Sequence, residues 1–175
     1  MERFEPLVTA VADALRRQGA MLVTAESCTG GLIAAACTSL AGSSDWFERG
    51  FVSYSNAAKS ELLGVAGRLI DAHGAVSAEV ACAMAEGALA HSHADVAVAV
   101  TGIAGPGGAT PDKPVGTVWL GWARRGAAAQ TELLQLSGDR SAVREQTVQR
   151  ALQRVVWLLE NNSGDTAAAG RAQTP

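Results

Sequence analysis

The chain has 175 residues, 48% of them hydrophobic and 18% charged, and a net charge of -3. That is enough apolar material for one ordinary domain with a buried core, and it excludes general disorder. The acidic balance argues against a nucleic-acid binder held mainly by phosphate contacts. No apolar run approaches the ~18 residues of a membrane-spanning helix, and the amino-terminal stretch lacks the pattern of a signal peptide.

Three cysteines, Cys28, Cys37 and Cys82, form no CxxC pair and cannot all be cross-linked. That usage fits a reducing compartment, so a cytoplasmic protein is expected. Thirty-five alanines and 19 glycines against 5% aromatic residues foretell a core of small residues and close backbone packing. The cations are 12 arginines and only two lysines, Lys59 and Lys113. A position that keeps lysine amid such a bias draws notice, because arginine cannot serve as a base near neutral pH.

In chain order, Phe4, Leu7, Val8, Val11 and Leu15 fall on one face of a helix over 4–18, stopped by Gly19. Residues 20–25 read as a buried strand, and the turn Glu26-Ser27-Cys28-Thr29-Gly30-Gly31 leads into a helix over 31–40. A turn at Gly42-Ser43-Ser44 precedes a strand at 50–55 and a short helix at 56–63 carrying Lys59. Residues 64–76 have no clear pattern. Ser77 is placed to cap a helix reaching about residue 92, and Val96–Thr101 reads as a central strand. The Gly-rich loop 102–114 follows, then a hairpin of 115–123 and 128–136, and a last helix from Asp139 to about residue 160. Residues 161–175 have the composition of a tail. The expected fold is α/β: a three-layer α/β/α domain over 1–160 with a mixed sheet.

The turn Thr24–Gly31 points backbone N–H groups at one spot, which suits an anion or an oxyanion and favours Ser27 or Cys28 as a nucleophile. A tight turn with a helix cap is the plain alternative, and G-x-S-x-G is absent. Lys59 would act as a base if burial keeps it neutral; a solvated surface lysine is the ordinary reading. Ser55, four residues before it, shares its helix face if the helix starts early. Loop 102–114 follows a central strand, where open sheets hold ligands, but it is neither a P-loop nor a good G-x-G-x-x-G. His91, His93 and Asp95 offer too few ligands for a metal. Cys37 and Cys82 fall on apolar helix faces and are expected in the core. Arg140 and Arg144, one turn apart, suit either acidic partners or an anion.

Several segments in order, TAESCTGGLIAAA (24–36), AGSSDWFERGFVSYSNAAKSELLGV (41–65), HGAVSAEVACAMAEGAL (73–89), TGIAGPGG (101–108), KPVGTVW (113–119) and SGDRSAVREQTVQRAL (137–152), resemble the CinA C-terminal domain family. Stand-alone members of that family are nicotinamide-nucleotide amidases, and no counterpart of the amino-terminal domain of its fused members is seen. The resemblance implies hydrolysis of nicotinamide mononucleotide to nicotinate mononucleotide and ammonia by a metal-independent, cofactor-free serine/lysine pair. It carries the serine onto Ser27 and the lysine onto Lys59, with Ser44, Tyr54, Thr101 and Arg140 as supporting residues.

On that basis Lys59 is the base and Ser27 the nucleophile, with Cys28 and Ser44 as rivals. Tyr54 or Ser44 would relay a proton or orient the lysine. Oxyanion donors are expected near Gly30 and Gly31, and Thr29 belongs to the same binding turn. Thr101, Gly102, Gly105 and Arg140 are expected to hold the ribose and phosphate, and Glu26 to face the cationic ring. The alternative is a non-catalytic nucleotide-binding module linked to competence or DNA damage. Neither nucleic acid nor membrane is an expected partner; Ala-rich helices and four tryptophans make a homo-oligomer the expectation.

Overall fold

A computed structural model describes residues 1–161. Five strands form one sheet in the order β2-β1-β3-β4-β5: β1 (Leu22–Glu26), β2 (Phe47–Val52), β3 (Val96–Gly102), β4 (Thr117–Arg124) and β5 (Gln130–Gln135). The first three are parallel, and β4 and β5 add antiparallel pairs. The helices are α1 (Glu5–Gln18), α2 (Leu32–Thr38), α3 (Asn56–Leu63), α4 (Gly67–His73), α5 (Ala78–Ala90) and α6 (Arg140–Asn161). Helices α1, α2 and α6 share one buried cluster with one face of the sheet, and α3, α4 and α5 share the other. This is the expected three-layer α/β/α arrangement with a mixed sheet.

Strand β3 shows how the sequence sorts the layers. Val96, Val98 and Val100 project toward α1 and α6, while Ala97 and Ala99 project toward α5. Successive strand residues point to opposite faces, so the VAVAV run makes one bulky and one shallow face. The shallow face lets α5 approach: a Cβ on Gly121 of β4 would lie 2.3 Å from the Ala81 carbonyl oxygen. Likewise a Cβ on Gly87 of α5 would lie 2.0 Å from the Leu63 carbonyl oxygen, so α3 also packs backbone to backbone. The Ala and Gly content is thus spent on short interlayer distances. Gly121→Ala is expected to cost about 2–3 kcal/mol and to lower the melting temperature by about 5–10 °C, read by thermal denaturation.

Most boundaries fall near their expected places. Gly19 ends α1 in the left-handed region at φ 60°, and Ser77 caps α5 by accepting from the Val80 N–H at 3.3 Å. Asp139 caps α6 through its Oδ1, which accepts from Ala142 N–H at 2.9 Å. Three readings change. The second strand is Phe47–Val52 rather than 50–55, because an edge strand tolerates the charged pair Glu48 and Arg49 that masks it in the sequence. Residues 67–73 form α4, where no element is evident from the sequence. Ser55 is the N-cap of α3, accepting from Ala58 N–H at 3.0 Å, and so does not share a helix face with Lys59. Cys37 is in the core, whereas Cys82 is only half-buried beside Glu86. Among the described residues no helix is long and apolar enough to cross a membrane. The tail expected at 161–175 lies, after Asn161, outside the described residues.

Candidate active site

The carboxyl ends of β1, β2 and β3 lie side by side, and the segments leaving them build the site. Ser27 follows β1 directly, and its N–H donates to the Val100 carbonyl of β3 at 3.0 Å. Ser53 follows β2, and its N–H donates to the Glu26 carbonyl at 2.9 Å. The sheet's hydrogen-bond ladder therefore sets Ser27 between the two neighbouring strands.

Helix α3 buries two residues, Lys59 and Leu63, one turn apart on its inner face. A lysine thus occupies a position where a core residue would ordinarily sit, and it is 1% exposed. Its Nζ lies 3.2 Å from Ser27 Oγ, 3.1 Å from the Ser53 carbonyl and 3.3 Å from the Tyr54 carbonyl. Burial lowers its pKa from the ordinary 10.5 by disfavouring the ammonium form. Ser27 is 9% exposed against 1% for Lys59, so the serine lies nearer the surface than the lysine behind it.

Glu26, the last residue of β1, is fully buried. Its Oε2 accepts from the Thr29 hydroxyl at 2.7 Å and from the N–H groups of Gly31 and Ile33 at 3.0 Å each; Oε1 accepts from Ala34 N–H at 2.8 Å. The carboxylate closes the start of α2, which has no side-chain cap at its own N-cap residue, Gly31. This corrects two expectations. Glu26 does not face a substrate ring, because all four of these contacts turn it inward. Gly30 and Gly31 do not supply free donors, because Gly30 N–H donates to the Ser27 carbonyl at 3.0 Å and Gly31 N–H to Glu26. Among the described residues, the N–H groups of Cys28 and Thr29 have no backbone or carboxylate acceptor.

The other expected residues separate into two groups. Tyr54 and Arg140 come together: the phenol oxygen accepts from Arg140 Nη2 at 3.2 Å, and Arg140 Nη1 donates to the Gly105 carbonyl at 2.9 Å. Thr101 and Gly102 play parts in packing. The buried Thr101 hydroxyl donates to the Ala75 carbonyl at 2.7 Å, and a Cβ on Gly102 would lie 2.6 Å from Val118 Cγ2. At Gly105 the close neighbour is Val115, 2.7 Å from a Cβ built there. The glycines at 102 and 105 thus admit the close approach of Val118 and Val115.

Ser44 stands apart. It is exposed in the single turn Ser43–Asp45 that precedes β2, at the opposite end of the sheet from Ser27. Because β1 and β2 are parallel and β1 has five residues, about 16 Å of strand separates the two serines along the sheet. Within one chain Ser44 does not meet Lys59. Cys28 is next to Ser27 in sequence but is buried, and burial pushes its thiol up to about 11. His91 Nδ1 lies 2.8 Å from the Gly87 carbonyl, and Asp95 accepts from Met21 N–H at 2.9 Å. Sequence reading overlooked the Ser53 and Tyr54 carbonyls that hold Lys59. Backbone acceptors leave no mark in residue identity, so no sequence signal marks them.

This is a mixed-sheet α/β/α protein with a buried serine–lysine pair at the carboxyl ends of its parallel strands. The CinA C-terminal domain profile matches residues 4–159, and the chain belongs to that family. It is 53% identical over 152 residues to the nicotinamide-nucleotide amidohydrolase PncC of Enterobacter agglomerans, covering 87% of this chain and 93% of that protein. It is 56% identical over 146 residues to a CinA-like protein of Akkermansia muciniphila, covering 83% of this chain but only 35% of that longer protein. The chain therefore spans about a third of some relatives and nearly the whole of others. Among solved structures, the competence/damage inducible protein CihA of Agrobacterium tumefaciens superposes with a TM-score of 0.85 at 45% identity, covering 89% of this chain and 94% of that one.

Proposed function

We propose that the chain is an amidohydrolase that cleaves the carboxamide of nicotinamide mononucleotide, with Ser27 as nucleophile and Lys59 as its base. The observation that carries the mechanism is the setting of the Lys59 amine. Two backbone carbonyls and one hydroxyl surround Nζ at 3.1–3.3 Å. A neutral amine has two N–H bonds and one lone pair. The Ser53 and Tyr54 carbonyls can only accept, so they take the two N–H bonds and the lone pair is left facing Ser27. The substrate class is supported by the name of the full-length Enterobacter agglomerans relative.

The steps balance within the chain's own groups. The Ser27 proton passes to Lys59 as Oγ bonds to the carboxamide carbon. The oxyanion is met by the N–H groups of Cys28 and Thr29, the donors that Glu26 leaves unused. Lys59 returns the proton to the amide nitrogen, the C–N bond breaks and ammonia leaves. Water then loses a proton to Lys59 and attacks the acyl carbon; as the C–Oγ bond breaks, Lys59 returns that proton to Ser27 Oγ, which releases the acid and restores both groups. Tyr54, Arg140 and Gly105 tie the β2–α3 and β3–β4 connections together beside this centre.

The test is ammonia release from nicotinamide mononucleotide across pH. Lys59 must be neutral to act, so kcat/KM rises with pH and reaches a plateau once the amine is deprotonated. Its lowered pKa sets that limb below 10.5. A profile without such a rising limb would exclude the lysine as base. Nucleotide binding with no ammonia released would instead favour a binding module.

A further inference from the structure

Arg140 and Arg144 both rise from the first two turns of α6, but the protein holds them differently. Arg140 is engaged at both ends of its guanidinium, by Gly105 and Tyr54. Arg144 is held at one end only: Nη2 donates to the Thr29 carbonyl at 2.9 Å, and Nε is buried without an acceptor. Neither has a carboxylate within ion-pair distance among the described residues, whereas Arg150 and Arg154 farther along α6 share Glu132. Such an uncompensated, part-buried cation is unfavourable for the fold alone, and its position makes a ligand the natural counterpart. Thr29 is two residues from Ser27, so their Cα atoms are at most ~7.6 Å apart. A guanidinium there stands beside the nucleophile without touching it.

Resting on the amidohydrolase reading, we infer that Arg144, rather than Arg140, selects the phosphorylated substrate by binding its 5′-phosphate. The carboxamide and the phosphate lie at opposite ends of the nucleotide. With the carboxamide at Ser27, the ribose phosphate extends over the adjoining turn, where Nη1 of Arg144 and the second hydrogen of Nη2 remain to meet phosphate oxygens, Nε being buried. Arg140 keeps a positioning part, fixing Tyr54 and the loop at Gly105.

The experiment compares nicotinamide mononucleotide with nicotinamide riboside, which lacks the phosphate, using Arg144→Gln, Arg144→Lys and, as a control on the same helix, Arg150→Gln. In Arg144→Gln, kcat/KM for the nucleotide should fall about 10- to 100-fold, chiefly through KM, while the riboside value changes less than about threefold. Arg144→Lys should recover part of the loss by restoring charge without the paired donors, and Arg150→Gln should match the wild type. Equal losses on both substrates would overturn the inference and leave Arg144 as a tether for the Thr29 carbonyl; unchanged kinetics would overturn it too. A second readout separates it from the parent reading. Nicotinamide mononucleotide should raise the melting temperature of the wild type and Arg150→Gln but not of Arg144→Gln, even if no ammonia is released. An equal rise in Arg144→Gln would refute the phosphate contact whatever the activity.

Discussion

Replacing Lys59 by arginine should abolish turnover while leaving a folded protein, with kcat/KM falling at least about 10³-fold. Arginine keeps the donors but stays charged and cannot give up a proton near neutral pH, so it has no lone pair to offer Ser27. Ser27→Ala should fall as far, because among the described residues no other hydroxyl is found against the Lys59 amine. Cys28→Ser should stay within about threefold of the wild type, since a buried thiol pushed up to about 11 supplies almost no thiolate at neutral pH. Steady-state ammonia assays decide all three; substantial activity in Lys59→Arg would make the lysine structural. Lys59→Met adds a test through stability. Below 10.5 but above the lowered folded value, the unfolded chain holds the lysine proton and the folded chain does not. Wild-type stability must therefore climb with pH across that window and fall as pH drops toward the folded pKa. The methionine variant lacks that slope, so its stability relative to the wild type should improve as pH is lowered, measured by denaturant titration.

Glu26→Ala should be among the most destabilising single changes in the molecule. It removes a fully buried carboxylate that accepts from three backbone N–H groups and the Thr29 hydroxyl. Unsatisfied donors of this kind cost about 1–3 kcal/mol each, and partial relaxation brings the total to about 4–6 kcal/mol. The melting temperature should drop by about 10–20 °C. Glu26→Gln keeps the shape but turns an amide N–H₂ toward one set of donors, so an intermediate loss is expected. If Glu26 instead contacted substrate, these variants would melt normally and bind poorly. Thermal denaturation alongside substrate affinity separates the two accounts.

These residues also show what a sequence can and cannot disclose. The existence of α1, α5, β3 and α6 follows from periodicity and from signals such as the stop at Gly19, the cap at Ser77 and the turn ending at Asp139, whose effects are local. Strand β2 was misplaced by three residues because its pairing partner, not its own pattern, decides where it starts. Lys59 stands out by its rarity among so many arginines. Its partnership with Ser27, 32 residues away, came from family resemblance, since residue patterns do not reveal which loops a sheet brings together. Glu26 misled for a related reason. An acidic residue in a polar turn suggests a cationic ligand, yet its real partners are N–H groups five and more residues onward, visible only once α2 folds back over the strand.

The depth of Cys28 has a bearing on how the protein would fare under oxidative stress. Peroxides and soft electrophiles attack thiolates, and a thiol at about 11 is ionised in only roughly one molecule in ten thousand at pH 7. Cys37, pushed up to about 12, is more inert still. A catalytic turn that carries a sulfur beside its nucleophile would ordinarily be a point of damage. Here the sulfur is sealed inside and the group beside it on the turn is the Ser27 hydroxyl, which such oxidants leave alone, so turnover should survive peroxide exposure that silences thiol-dependent hydrolases.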